Sequence, residues 1–337
     1  MAIGSLAARN LKRSGPGVSV VPLVLSLLAV TFVVVAVHEL GHLAGALSAG
    51  FRFQLLTVGP FTLYRDGERI RFRWNTDWMQ MGGLAAALPG PGADVRRGAM
   101  RMIVGGPLTS YLLALAGGVL FTTAGEGALR MAGMMFGLQS LAIGVMTSIP
   151  GAMGGYLSDG ARYLQLRRGG MEAERWLAIA VFAAQNQAGE RPRQWRLEQA
   201  TEDWVDGTPD GVMMAGALYC WELDRGNTAE AGEWLDRGMA HLDAAPAYLR
   251  PAMMVEAAWF EAAQRGRAAE ARGWHDRMEA SPLMPRWSLL RAEAAVLAAE
   301  GRTEEAAAKR AEALVLLDAA PPSGAVPYER DLLNGVP

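Results

Sequence analysis

Residues 18–37, VSVVPLVLSLLAVTFVVVAV, carry no charged side chain, and His38-Glu39-Leu40-Gly41-His42 follows them without a break. An apolar run of this length predicts a helix able to cross a hydrocarbon layer about 30 Å thick. The His-Glu-x-x-His that continues it sets two imidazoles one turn apart on one helix face. There they can share one Zn²⁺, with the intervening carboxylate as general base to a water. Such a pattern also arises by chance, and histidines pack on helices for purely structural reasons. Three ionisable groups so close together in a membrane segment are costly, however, and that cost favours a metal site over packing. The chemistry is therefore expected within the bilayer or at its edge.

The rest of the chain separates into two halves. Hydrophobic residues make up 51% of the 337 and charged residues 20%, but charge is scarce up to about Ser158 and abundant from Asp159 onward. Two more charge-free runs, 102–125 and 131–158, are long enough to span a bilayer. With the first they predict spans at about 18–49, 102–125 and 131–158. Residues 126–130 read as a tight hairpin, making the second and third spans antiparallel neighbours. Arg9, Lys12 and Arg13 precede the first span as they would in a signal peptide, yet no small-residue cleavage site follows, so the segment reads as retained. A net charge of −2, with no basic helix carrying interleaved aromatics, argues against nucleic acid as a partner. Cys220 is the single cysteine, which rules out an intrachain disulfide and suits a reducing compartment.

Between the first two spans the pattern changes. Residues 53–58, 61–65 and 70–74 are short, aromatic and β-branched, and Asp66-Gly67 is a hairpin signal. Phe72 and Trp74 alternate with Arg71 and Arg73, the period of a half-buried strand. Gly82-Gly83 and the apolar 84–91 come next, the latter too short to span and broken by Pro89 and Pro91. A small sheet (51–83) plus a loop, lying at the membrane interface, is expected. An ordinary connecting segment is the plainer alternative.

A catalytic zinc usually takes three protein ligands and keeps one position open. His241 and His275 lie deep in the charged half, and Glu126 sits at the far end of its spans. Asp159 closes the third apolar run in Tyr156-Leu157-Ser158-Asp159-Gly160. It could equally be the N-cap of a helix over 160–168. Beside the His pair, the ligand role prevails.

With these landmarks in order, residues 18–168 resemble the site-2 protease family of intramembrane zinc metalloproteases. The likeness rests on His38-Glu39-Leu40-Gly41-His42, the pair Gly82-Gly83, Gly105-Gly106-Pro107, then Thr147-Ser148-Ile149-Pro150 and Leu157-Ser158-Asp159-Gly160. Thr147 stands where the family usually has Asn, Ser110 where an Asn often follows the Gly-Pro, and Ser158 separates Leu157 from Asp159. None of these removes a ligand. The resemblance implies that His38, His42 and Asp159 ligate Zn²⁺ and that Glu39 is the general base. It implies regulated intramembrane proteolysis, the cleavage of peptide bonds in or near the transmembrane helix of a membrane-protein substrate. Gly82, Gly83, Thr147, Ser148 and Pro150 would handle substrate, held extended by strand addition to the β segment.

From Met171 the sequence reads as helices only. Gly226-Asn227-Thr228-Ala229-Glu230-Ala231 recurs as Gly266-Arg267-Ala268-Ala269-Glu270-Ala271 and Gly301-Arg302-Thr303-Glu304-Glu305-Ala306, at spacings of 40 and 35 residues. Gly189-Glu190 reads as a worn earlier copy. Helix–turn–helix units of about 34 residues mark tetratricopeptide-type repeats; a plain helical bundle is the alternative. Trp204, Trp221, Trp234, Trp259, Trp274 and Trp287 are expected mostly in its core.

The fold expected is therefore membrane α-helical: a three-span metalloprotease core with a small interfacial β segment (1–168), an all-α helical-repeat soluble domain (171–320) and a tail (321–337). Eight arginines between Phe51 and Arg101, with Arg162, Arg167 and Arg168 after Asp159, outnumber Arg9, Lys12 and Arg13. The positive-inside rule then puts the β segment and the C-terminal half in the cytoplasm, in a bacterial inner membrane, with a cytosolic regulator docking on 171–320. The competing expectation is a catalytically idle membrane scaffold that recruits partners through its repeats. A soluble zincin is the third and weakest reading.

Overall fold

The computed structural model describes residues 20–75, 82–153, 156–245, 249–278 and 284–335. Arg9, Lys12 and Arg13 lie outside these. Helix α1 (Val20–Leu47) continues from the apolar run through the His-Glu motif without interruption. Helices α2 (Val95–Thr123) and α3 (Ala128–Ser148) are the other two long and apolar enough to cross a membrane. They pack side by side across the short 124–127 connection, the antiparallel pair expected. Thr31 Oγ1 on α1 lies 2.8 Å from Gln139 Oε1 on α3, a polar contact between spans.

Two span boundaries differ from the charge-free runs. α2 starts at Val95, a full two turns before residue 102, because Asp94 caps it, accepting from Arg97 N–H at 2.9 Å. Arg96, Arg97 and Arg101 thus belong to the helix, and the charge-free run marks only its apolar part. α3 ends at Ser148, not near 158. Ile149 precedes Pro150, whose ring disfavours helical backbone before it, and Ile149 is extended at φ −68°, ψ 124°. The chain then doubles back through the two-residue strands β5 (Ala152–Met153) and β6 (Tyr156–Leu157), numbered after the main sheet.

That main sheet has four strands in the order β3-β2-β1-β4: β1 (Phe51–Val58), β2 (Phe61–Asp66), β3 (Arg69–Trp74) and β4 (Leu84–Pro89). All neighbours are antiparallel, and Gly67 supplies the left-handed residue of the β2–β3 turn at φ 59°. The apolar 84–91 stretch, expected as a loop, is mostly strand β4. Its alanines are small enough to let Ala85 and Ala87 pack with Leu43, Ala46 and Phe51. On β3 every residue is exposed; Ile70, Phe72 and Trp74 share one face with exposed Phe61 near Phe32 of α1. An unburied aromatic face beside a spanning helix suits the membrane interface.

Two short helices, α4 (Asp159–Arg168) and α5 (Met171–Gln187), carry the chain away from the spans. Leu166, Ala173 and Leu177 pack with Ala99 and Ile103 at the start of α2. Three helix pairs follow: α6 (Pro209–Asp224) with α7 (Thr228–Ala240), α8 (Arg250–Ala263) with α9 (Ala268–Asp276), and α10 (Arg286–Ala299) with α11 (Thr303–Asp318). Gly226, Gly266 and Gly301 join the members of each pair, all at positive φ. After Gly189 only two 3₁₀ turns, Pro192–Gln194 and Glu202–Trp204, are found where an earlier copy would place a second helix. α12 (Ala325–Asn334) closes the described chain, so the segment read as a tail is partly helical. Trp204, Trp221 and Trp259 are buried, and Trp234, Trp274 and Trp287 pack at the edges of the clusters. In the middle of these helices Arg291 is fully buried. It pairs with Glu256 at 2.5 Å and Glu329 at 2.7 Å, tying α8, α10 and α12 together. Breaking such a pair by removing one partner costs about 3–5 kcal/mol.

The α1–α2 crossing sets the site. A Cβ on Gly41 would strike Thr109 and the Gly105 carbonyl, and one on Gly105 would strike the backbone of Gly41. Because neither carries one, Thr109 Oγ1 comes within 3.2 Å of the Val37 carbonyl on α1 while also lying 2.8 Å from the Gly106 carbonyl of its own helix. Gly105→Val is expected to lose about 1–3 kcal/mol by overpacking this crossing. A lowered unfolding midpoint in detergent checks it; an unchanged midpoint would contradict the crossing.

Candidate metal centre

His38, Glu39 and His42 lie on α1 about 14 Å along the axis from His38 to the helix end at Leu47. All three are buried. The imidazoles face α2. His42 Nδ1 lies 2.8 Å from the Met102 carbonyl, and a carbonyl only accepts. Nδ1 must therefore carry the proton, which leaves the Nε2 lone pair free in the neutral ring. His38 Nδ1 lies 2.9 Å from Ser110 Oγ, a buried hydroxyl on the same face of α2. A Cβ on Gly106 would occupy the place of the His42 ring. Gly106 and Ser110, four apart on α2, thus serve His42 and His38, four apart on α1.

Asp159 reaches the pair from a third element. Ser158 is the N-cap of α4, accepting from Ala161 N–H at 3.2 Å and donating to the Ile149 carbonyl at 2.7 Å. Asp159 stands one position inside the helix and does not have to cap it. The missing Cβ of Gly160 lets its backbone rest against that of Ser148, which seats α4 on the end of α3. The Asp159 side chain is about one-fifth exposed and opens the cluster toward solvent.

The three donor atoms converge. Nε2 to Nε2 is 3.2 Å, and Asp159 Oδ2 lies 3.5 Å from His38 Nε2 and 3.6 Å from His42 Nε2. Zinc bonds of about 2.0–2.2 Å at tetrahedral angles put ligand atoms about 3.3–3.6 Å apart. The donor set fits that ion in type and spacing, and three lone-pair donors so close repel one another without a cation between them. Among the described residues this is the one cluster of three such groups.

Glu39 is not part of the cluster. It faces β4, where the Ala85 N–H donates to its carboxylate. Gly83, at φ 108°, passes so close that a Cβ would meet Glu39 Oε1 and Val35. Gly82 beside it meets nothing. Thr147 and Ser148 bond within α3: Ser148 Oγ donates to the Gly144 carbonyl at 2.6 Å and accepts from Tyr111 at 3.1 Å. Pro150 is exposed. Glu126, His241 and His275 do not join the cluster. Sequence reasoning passed over the Met102 carbonyl and the Ala85 N–H; it singled out Ser110 only as standing where the family often has Asn, without giving it the contact to His38. Ser110→Ala should leave the fold intact yet weaken zinc binding about 10–100-fold by freeing the His38 ring. Competition with a chelator of known affinity measures this, and an unshifted affinity would deny Ser110 the orienting role.

No curated protein and no solved structure matched this chain. The model of peptidase family M50 matches residues 26–308, which takes in α1, the sheet, the metal centre and most of the C-terminal helices. That family comprises zinc-dependent, site-2-protease-like membrane metallopeptidases. The three long apolar helices and the His-His-Asp cluster agree with the match, and the chain belongs to peptidase family M50.

Proposed function

We propose that this protein is an intramembrane zinc endopeptidase that cleaves peptide bonds in or near transmembrane segments of membrane proteins. The observation that carries the proposal is the meeting of Asp159 of α4 with His38 and His42 of a helix long and apolar enough to span, with Glu39 beside them. These three side chains would hold the zinc. When bound, zinc supplies a Lewis acid that acidifies water and polarises the scissile carbonyl. Glu39 takes the proton of the attacking water and hands it to the leaving amine. Met102 and Ser110 hold the imidazoles, and Asp159 supplies the negative charge that balances the ion.

Strand addition to β4 is the proposed mode of substrate capture. β4 is an edge strand, with β1 on one side and no strand on the other among the described residues. Its Ala85 N–H already reaches Glu39, so a peptide laid along that edge would run beside the general base. A helical substrate must unwind first, since its carbonyls are otherwise bonded within the helix. Gly83 keeps the passage open. Thr147, Ser148 and Pro150 are proposed to border the far side, with the Ser148 hydroxyl fixing α3 rather than donating to substrate. We read 171–320 as tetratricopeptide-like repeats in the cytosol that govern access or dock a regulator. α5 lying against β4 supports a role in access.

Glu39→Gln tests the function. It should retain zinc, because Glu39 is not a ligand, and lose nearly all cleavage of a transmembrane substrate; cleavage by the variant at the wild-type rate would overturn Glu39 as the base, and a wild type that binds zinc but cleaves nothing would favour the idle scaffold instead. Topology has its own test. A reporter active only outside the cytoplasm, fused after Pro337, should stay silent, and a strong signal would overturn both the cytosolic placement and the access role.

A further inference from the structure

A cleft of about 620 Å³ opens where α1 ends and α2 begins, one turn from His42. Ser48 and Gly45 of α1 form one wall, Tyr163 of α4 another, and α2 the floor. Arg96, Arg97 and Arg101 line it, against a single acid, Asp94. The Asp94 carboxylate is engaged by the Arg97 backbone N–H as the cap of α2. Arg96 donates to the Leu166 carbonyl and to Glu174. Arg101 donates only to the Ser48 carbonyl, at 3.1 Å, and the Arg97 guanidinium has no partner among the described residues. Two cations therefore border the cleft without a carboxylate to neutralise them.

The pattern along α2 says what would. Arg97, Arg101, Val104 and Leu108 follow one another at four, three and four residues, a single stripe of the helix. Its first turns are cationic and its next turns apolar, and Val104 and Leu108 are 43% and 52% exposed. The change from charge to hydrocarbon falls where the helix passes into its charge-free run. A soluble anion would use the arginines and leave the apolar stripe bare. A lipid uses both. We propose that this cleft binds an anionic phospholipid, its phosphate between Arg97 and Arg101 and an acyl chain along Val104 and Leu108. Tyr163 stands one turn beyond Asp159 on α4, so the bound headgroup would rest against the helix that carries the third metal donor.

The test is binding, which stands apart from peptidase activity. The full chain in neutral detergent is titrated with phosphatidylglycerol or phosphatidylcholine and the bound lipid read by native mass spectrometry. Phosphatidylglycerol should bind more tightly. R97Q/R101Q should weaken it about 30-fold, while R69Q/R73Q, an equal loss of charge on β3, leaves it unchanged. L108W, which keeps every charge, should also weaken it and covers the case in which the arginine variant does not fold. Equal binding of the two lipids, equal losses in the two arginine variants, or no effect of L108W would each overturn the site. Displacement by equimolar inorganic phosphate would assign it to a free anion and overturn the lipid.

Discussion

The approach of α1 to α2 is the constraint on which the rest depends. Lipid gives two apolar helices no hydrophobic reason to associate, so packing and interhelical hydrogen bonds must do it. Gly41 and Gly105 remove the side chains that would hold the backbones apart, and the Thr109 hydroxyl comes within hydrogen-bond reach of the Val37 carbonyl across the gap. Only at that separation can a main-chain carbonyl, that of Met102, reach a histidine ring on the neighbouring helix. The same contact that joins the spans therefore also fixes a tautomer. Gly106 makes room for the ring, and Ser110, one turn on, meets the second histidine. Structure and site share one set of small residues, and enlarging any of them would disturb both.

Asp159 depends on a second device. α3 stops before Pro150, the chain folds back through β5 and β6, and Ser158 bonds to Ile149 and Gly151 at the base of that hairpin. Ser158 thereby caps α4 and relieves Asp159 of the duty. An acidic first-turn residue is favoured by the helix dipole as well, so its charge is stabilised before any ion arrives. The fold-back between Pro150 and Asp159 leaves the carboxylate beside the imidazoles, because Gly160 seats α4 on Ser148.

The long helices and the meeting of His38, His42 and Asp159 were legible because membrane burial leaves strong marks: long charge-free runs, and ionisable groups where they are costly. Hairpin and helix-pair turns were legible for a different reason, since Gly67, Gly226, Gly266 and Gly301 adopt backbone angles that suit glycine. The boundaries near 95 and 148 were misplaced because charge reports where lipid ends, whereas caps and prolines decide where a helix ends. β4 was missed since four of its six residues are alanine or proline, types depleted in strands, and only pairing with β1 makes it one. Nothing in local sequence announces that Arg291 would be buried between two glutamates, because its partners lie 35 and 38 residues away.

β4 also bears on how water reaches a site within the span. An unpaired strand edge that entered the hydrocarbon could not face lipid, where each bare amide group costs several kcal/mol. It must be covered by protein or wetted. α5 lies against β4, and Glu39 takes the Ala85 N–H. What remains has to meet water or an added strand. Hydrolysis requires both, a water for attack and an extended peptide to receive it. Under the proposed function, that edge is the wall of a hydrated passage leading to Glu39, with Asp159, the most open of the three clustered side chains, at its solvent end.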